Sequence, residues 1–229
     1  MSAASPGIGQ ALASRYGISP VVILNAFDST NVKSVDTSLM PADSTLRFFW
    51  FSQTAGPDRG LDQFMAMAPK IIEILNRPLM LTVVGRPVAG FDTVLTDQAK
   101  AAGLSLELQP LMPPSELIPL AASHHCGLAL EHITPVNKDI CLANKIFTYL
   151  AAGIPMLLSA TTAHRNLAPE LGDSALLLSS PAQPAEVAQW LKSAVISGQG
   201  ASTAKAKCDE RFSWQRESAK FLEQVYKAI

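Results

Sequence analysis

Two stretches of this chain place a cation where a strand gives way to a helix. The first is Gln53-Thr54-Ala55-Gly56-Pro57-Asp58-Arg59-Gly60-Leu61. An apolar run ends there, a loop follows, and a helix is expected to begin with Asp58 as its N-cap. Gly56 would let the backbone approach a ligand closely. Arg59, in the first helical turn, would add a fixed cation where backbone N–H groups already point outward. The combination is a candidate diphosphate cradle. The plainer reading is an ordinary strand-to-helix turn with a surface arginine.

The second stretch runs from Pro135 to Pro155. Asn144 is expected as the N-cap of a helix, with Lys145 at its first position and Phe147, Leu150 and Ala151 as its buried stripe. A lysine there opposes the helix dipole. It is either a tolerated surface lysine or a group that meets an anion at that helix end. Glu131-His132 directly follows an apolar run and is read either as a sugar-contacting pair or as a solvated loop. His124-His125-Cys126 suggests a metal site at first sight. Adjacent residues on one element seldom converge on one ion, and no matching ligand pair stands elsewhere, so no metal ligands are assigned.

These residues need a frame. Apolar runs at Leu46–Ser52, Leu79–Gly85, Leu104–Leu108, Cys126–Leu130, Met156–Ser159 and Ala175–Leu178 read as strands. Stretches at Asp58–Asn76, Phe91–Ala102, Pro113–Ala122, Lys145–Ala152, His164–Leu171 and Pro184–Val195 read as helices, and helices fill most of the rest to Ile229. In the first of these, Leu61, Phe64, Met65, Ala68, Ile71, Ile72 and Leu75 share one side. Regular alternation means a parallel sheet with helices on both faces, a Rossmann-like α/β fold. Ligands in such folds sit at the carboxyl ends of the strands, where both cation-bearing stretches fall. The segment up to about Ser44 is different: one helix, a strand at Val21–Asn25, then a polar connector.

Composition narrows the function. Eighteen basic against 19 acidic side chains give a net charge of −1, which argues against a nucleic-acid backbone as partner. Charged residues are only 16% of the chain, below the usual quarter or so. Either part of the surface is normally covered by another domain or subunit, or an alanine-rich core is simply well filled. No apolar run is long enough to span a bilayer, and Met1–Gln10 does not read as a signal peptide. Three cysteines without metal-like spacing fit a reducing cytoplasm.

Asn144-Lys145-Ile146-Phe147-Thr148-Tyr149-Leu150-Ala151-Ala152-Gly153-Ile154-Pro155 resembles a signature of family 4-like GT-B glycosyltransferases. Trp50-Phe51-Ser52 with Gly56-Pro57-Asp58-Arg59-Gly60-Leu61 is similar to the first strand and loop of their C-terminal domain. Pro113 to Leu117, Cys126 to Leu130, and Phe212-Ser213-Trp214 with the helix after it resemble later segments in the same order. Tyr16-Gly17 and Val22 to Ala26 resemble the end of the preceding domain and its crossover, so the likeness covers nearly the whole chain.

The resemblance implies the C-terminal half of a GT-B fold. Residues 1–44 would be the end of the preceding domain with the crossover linker, and residues 45–229 a donor-binding domain with C-terminal helices. It implies a retaining glycosyltransferase that takes a nucleoside-diphosphate sugar and needs no metal or other cofactor. Gly56, Arg59, Asn144 and Lys145 would meet the donor diphosphate, and Thr148, Glu131 and His132 its ribose or sugar. The acceptor would be held by an N-terminal domain or a separate chain, which would also carry any peripheral membrane association. Three positions depart from the family pattern. Thr148 stands where a glutamate holds the donor ribose, Ile140 beside Asp139 where an earlier glutamate falls, and Gln53 where an arginine is usual. Two rivals follow: a non-catalytic nucleotide-sugar-binding or scaffold module, and a GT-B-shaped nucleotide-sugar epimerase using Glu131, His132 or Asp139 as acid or base.

Overall fold

The computed structural model describes residues 1–28 and 44–224. A short opening unit comes first: β1 (Ser2–Ala3), α1 (Pro6–Tyr16) and β2 (Val21–Val22), with the two strands paired in parallel. The expected strand Val21–Asn25 is thus cut to two residues, because its partner offers only two. Beyond it the Leu24 N–H donates to the Glu217 carboxylate at 2.8 Å instead. The expected connector from Asp28 to Ser44 lies, but for its two end residues, outside the described residues.

Six further strands form the main sheet: β3 (Leu46–Ala55), β4 (Leu79–Pro87), β5 (Ser105–Gln109), β6 (Cys126–Ala129), β7 (Met156–Leu158) and β8 (Ala175–Leu177). They lie in the order β5-β4-β3-β6-β7-β8, every neighbouring pair parallel. Among these six, the first three strands run outward one way and the last three the other, so the order reverses between β3 and β6. That is the dinucleotide-fold order with its switch point, and a crevice opens there above the carboxyl ends.

Period-two alternation along β3 explains why both faces are covered. Phe48 and Trp50 point into one core, with Phe64, Ile71 and Val187 from α2 (Leu61–Leu75) and α8 (Pro184–Trp190). Phe49 points into the other, with Ile118 of α4 (Pro114–Ala122), Phe147 and Leu150 of α6 (Asn144–Ala152), and Cys208 of α9 (Gln199–Glu210). α3 (Phe91–Ala101) links β4 to β5, α5 (Val136–Ile140) follows β6, α7 (Thr162–Leu171) follows β7, and α10 (Trp214–Gln224) ends the described chain. The expected helix from Pro184 to Val195 changes winding at Leu191, where a π-helical turn runs to Ile196. Among the described residues no helix is long and apolar enough to cross a membrane.

Tyr149 fixes α6 against the sheet. Its ring lies flat over Gly127 of β6, where an added Cβ would come within 2.4 Å of it. Its hydroxyl is 3.1 Å from the Phe49 carbonyl and 3.0 Å from that of Leu128. This anchor, one turn into the helix, sets where Lys145 and Thr148 project.

Candidate functional site

A cavity of about 620 Å³ opens at the switch point. Its walls come from the end of β3 (Ser52, Gln53, Thr54), from Val84 of β4, from Leu111 and Met112 after β5, and from Glu131 after β6. α6 contributes Asn144, Lys145 and Thr148, and Arg59 closes one side. Of the residues singled out in the sequence, Arg59, Glu131, Asn144, Lys145 and Thr148 therefore come together.

Gly56 and His132 do not line this cavity. Gly56 is extended, φ −158° and ψ 175°, and a Cβ there would touch only Val88 methyl groups at 3.7 Å. The constrained glycine is Gly60, with φ +74° and a hypothetical Cβ 2.0 Å from the Leu130 carbonyl oxygen. Gly60 also moves the helix start. Pro57–Arg59 form a 3₁₀ turn and α2 begins only at Leu61, so Asp58 is not its N-cap and Arg59 precedes its first turn. β3 itself continues to Ala55, past a register shift between Phe51 and Thr54, through what reads in sequence as a loop. His132 lines a second cavity of about 540 Å³ with Ser159, Arg165 and Ser179, and its Nε2 has no hydrogen-bond partner. Glu131 lines both cavities.

Asn144 is the first residue of α6 rather than its cap, and Lys145 the second. Ala143 takes the cap position without a side-chain bond, while the Asn144 side chain accepts from the Asn25 amide at 2.9 Å. The helix thus presents an N-terminus with no side-chain cap to the cavity, a place where backbone N–H groups favour an anion.

Lys145 is not a surface lysine. Its Nζ donates to Glu131 Oε1 at 2.6 Å, and the two side chains are only 8% and 9% exposed. The ammonium also lies 5.2 Å from the centre of the Trp50 ring. Burial pushes the Glu131 carboxyl up, but the Lys145 ammonium and its hydrogen bond, helped by His164 and Arg59, hold it below its ordinary value. Thr148 is 1% exposed and its Oγ1 has no partner. Sequence reading passed over Lys138, which also lines the cavity. It sits on α5, a five-residue helix whose one early sign is Pro135 at its start.

The remaining candidates have other work. Asp139 is outside the cavity lining and ties α5 to the first residue of α7, accepting from the Thr162 N–H at 2.8 Å and its hydroxyl at 2.7 Å. Those bonds lower its pKa. His124 and His125 are bound into the scaffold at the opposite end of β6. Among the described residues no three His, Cys, Asp or Glu side chains gather as a metal site would need.

No family model matches the sequence, and no curated protein matches it. Solved structures match the fold. AviGT4, a glycosyltransferase involved in avilamycin A biosynthesis, is 16% identical with a TM-score of 0.66 over 99% of this chain and 63% of its own. S. aureus TarM, in a complex with fondaparinux, α-GlcNAc-glycerol and UDP, is 10% identical with a TM-score of 0.69 over 95% and 42%. A trehalose-6-phosphate synthase studied for glycosyl transfer with retention is 13% identical with a TM-score of 0.63 over 93% and 53%. The chain therefore has a Rossmann-like α/β fold, shared with part of each of these structures. It spans between 42% and 63% of the length of these three structures.

Proposed function

We propose that this chain is the donor-binding, C-terminal half of a retaining, family 4-like glycosyltransferase. It would transfer a sugar from a nucleoside-diphosphate sugar to an acceptor held by a second domain or chain. In this reading residues 45–229 form the donor domain and residues 1–44 belong to the crossover. The observation that carries it is Lys145 at the uncapped start of α6, sharing one switch-point cavity with Arg59. Two cations and a set of helix N–H groups suit a diphosphate. As the sugar departs, charge grows on that diphosphate, and preorganised cations stabilise it without a metal ion. Asn144 and Thr148 then lie toward the ribose and phosphates and Glu131 toward the sugar, which meets His132 only by extending into the second cavity that Glu131 also lines.

A second reading has its own support. Thr148 and Gln53 stand where the family pattern has a carboxylate and a guanidinium, which favours a nucleotide-sugar-binding module without turnover. The epimerase reading loses Asp139 to α7. Calorimetry against UDP, GDP and ADP tests the donor site that the first two readings share. Binding of at least one is expected, with Arg59→Ala and Lys145→Ala each weakening it by about 1.5–3 kcal/mol. No heat from any of the three at millimolar ligand sinks the donor-site reading.

A further inference from the structure

The Lys145–Glu131 pair sits in the cavity that the diphosphate would have to enter. Both side chains line it, both are buried, and their charged atoms are 2.6 Å apart. Among the described residues Glu131 is the one hydrogen-bond partner of the Lys145 ammonium. Nor is the carboxylate on a loose loop. The Glu131 N–H donates to Ser159 Oγ at 2.8 Å, and that hydroxyl donates back to the Glu131 carbonyl at 2.6 Å. Ser159 in turn accepts from His164 Nδ1 through its own carbonyl at 2.8 Å.

An anion reaching Lys145 meets a carboxylate already there. Like charges side by side in a water-poor site repel strongly. The anion must displace the carboxylate or bind beside it, and either lowers its affinity below what the cations alone would give. Displacement has somewhere to go, because Glu131 also lines the second cavity. A ligand that engages Arg59 as well as Lys145 recovers what the exchange costs; one that reaches Lys145 alone does not.

We infer that Glu131 is an internal competitor for the anion site: it holds Lys145 while the site is empty and yields it to a diphosphate. The inference rests on the donor-site reading above and adds to it a device that sets how readily phosphate groups are accepted. It runs against the ordinary expectation that removing a buried charge partner only damages a site.

The test uses inorganic pyrophosphate as probe, with calorimetry on the full chain and circular dichroism as the folding check. Glu131→Gln is expected to bind pyrophosphate about tenfold more tightly than the unaltered protein, the size of one charge-assisted hydrogen bond released to the ligand. Equal or weaker binding by a folded Glu131→Gln overturns the inference. Should that variant fail to fold, Glu131→Asp keeps the charge while drawing the carboxylate back from Lys145. It must then show a smaller gain in the same direction, and no gain overturns the inference. The gain must also depend on Lys145. Glu131→Gln with Lys145→Ala removes both buried charges together and is expected to bind more weakly than the unaltered protein; tighter binding would mean that Glu131 acts on the anion without Lys145. If neither the unaltered protein nor any variant binds pyrophosphate, the donor-site reading itself falls, and the inference with it.

Discussion

The two ends of β6 are built from similar materials and do opposite things. Before the strand, His124 and His125 are each 4% exposed, and each is tied to a different part of the sheet. His124 Nδ1 donates to the Leu120 carbonyl at 2.8 Å, and its Nε2 is 2.8 Å from the Thr82 hydroxyl of β4. His125 Nδ1 accepts the Arg47 N–H of β3 at 2.9 Å. Burial lowers both imidazole pKa values, that of His125 to about 4, so both rings are neutral at pH 7. After the strand stand Glu131 and, across the cavity wall, Lys145 and Thr148. These are equally buried, but two are charged, one has no partner, and all three residues line the large cavity. Burial of polar groups therefore does not mark the site. Hydrogen-bonding capacity left unspent at a cavity does.

The largest test of that contrast is Lys145→Ala. It leaves the Glu131 carboxylate buried and without its ammonium, a situation that costs about 3–5 kcal/mol. Urea unfolding should show a loss of that size in the ligand-free protein. A loss under 1 kcal/mol would mean that water reaches Glu131 freely and that the pair is a surface feature in effect.

The histidine end should announce itself through pH. Folded, His125 stays neutral down to about 4; unfolded, it takes up a proton near 6.5. Between those values the unfolded state binds more protons, so stability falls as pH drops from 6.5 toward 4. The loss is about 1–3 kcal/mol. Glu131 acts in the same direction but lower, below the ordinary carboxylate value of 4.5, because its folded pKa is depressed. His125→Gln should lessen the fall of the urea midpoint between pH 6.5 and 4.5, where the lowered pKa values of His124 and His164 act in the same direction, and leave the more acidic limb alone. An unchanged slope would assign the acid sensitivity elsewhere.

What the sequence disclosed follows a physical line. Helix faces and strand runs are local, so the apolar side of α2 was legible residue by residue: Leu61, Phe64, Met65, Ala68, Ile71 and Leu75 are buried, and Ile72 is partly so. The parallel order of the sheet followed from alternation alone. Contacts between elements were not legible. Nothing near Lys145 in sequence says that Glu131, 14 positions earlier, will reach its ammonium. Nothing near Asn144 says that Asn25 will take its side chain and leave the cap to Ala143. Gly56 and Gly60 look alike as letters. Only the packing of the Leu130 carbonyl against Gly60 separates them.

The smallest expected effect makes the finest comparison, because one substitution can be placed at both ends. Thr82 and Thr148 are 0% and 1% exposed, and threonine to valine changes a hydroxyl for a methyl at nearly constant shape. Thr82 Oγ1 lies between His124 Nε2 and Glu107 Oε2, at 2.8 Å and 3.2 Å. Thr82→Val leaves the buried His124 Nε2 without its partner and should cost about 1–3 kcal/mol of stability. Thr148 Oγ1 has no protein partner, so Thr148→Val removes an unmet polar group from a helix that tolerates valine nearly as well. Ligand-free stability should change by less than about 0.5 kcal/mol, or rise. If the proposed donor site is right, the same variant should nonetheless weaken nucleoside-diphosphate binding by about 0.5–1.5 kcal/mol, since the ligand would there lose a contact to the hydroxyl. Thermal melts with and without UDP read both quantities in one experiment. A Thr148→Val protein that loses stability as Thr82→Val does, while binding UDP unchanged, would make Thr148 part of the scaffold and erase the distinction between the two ends of β6.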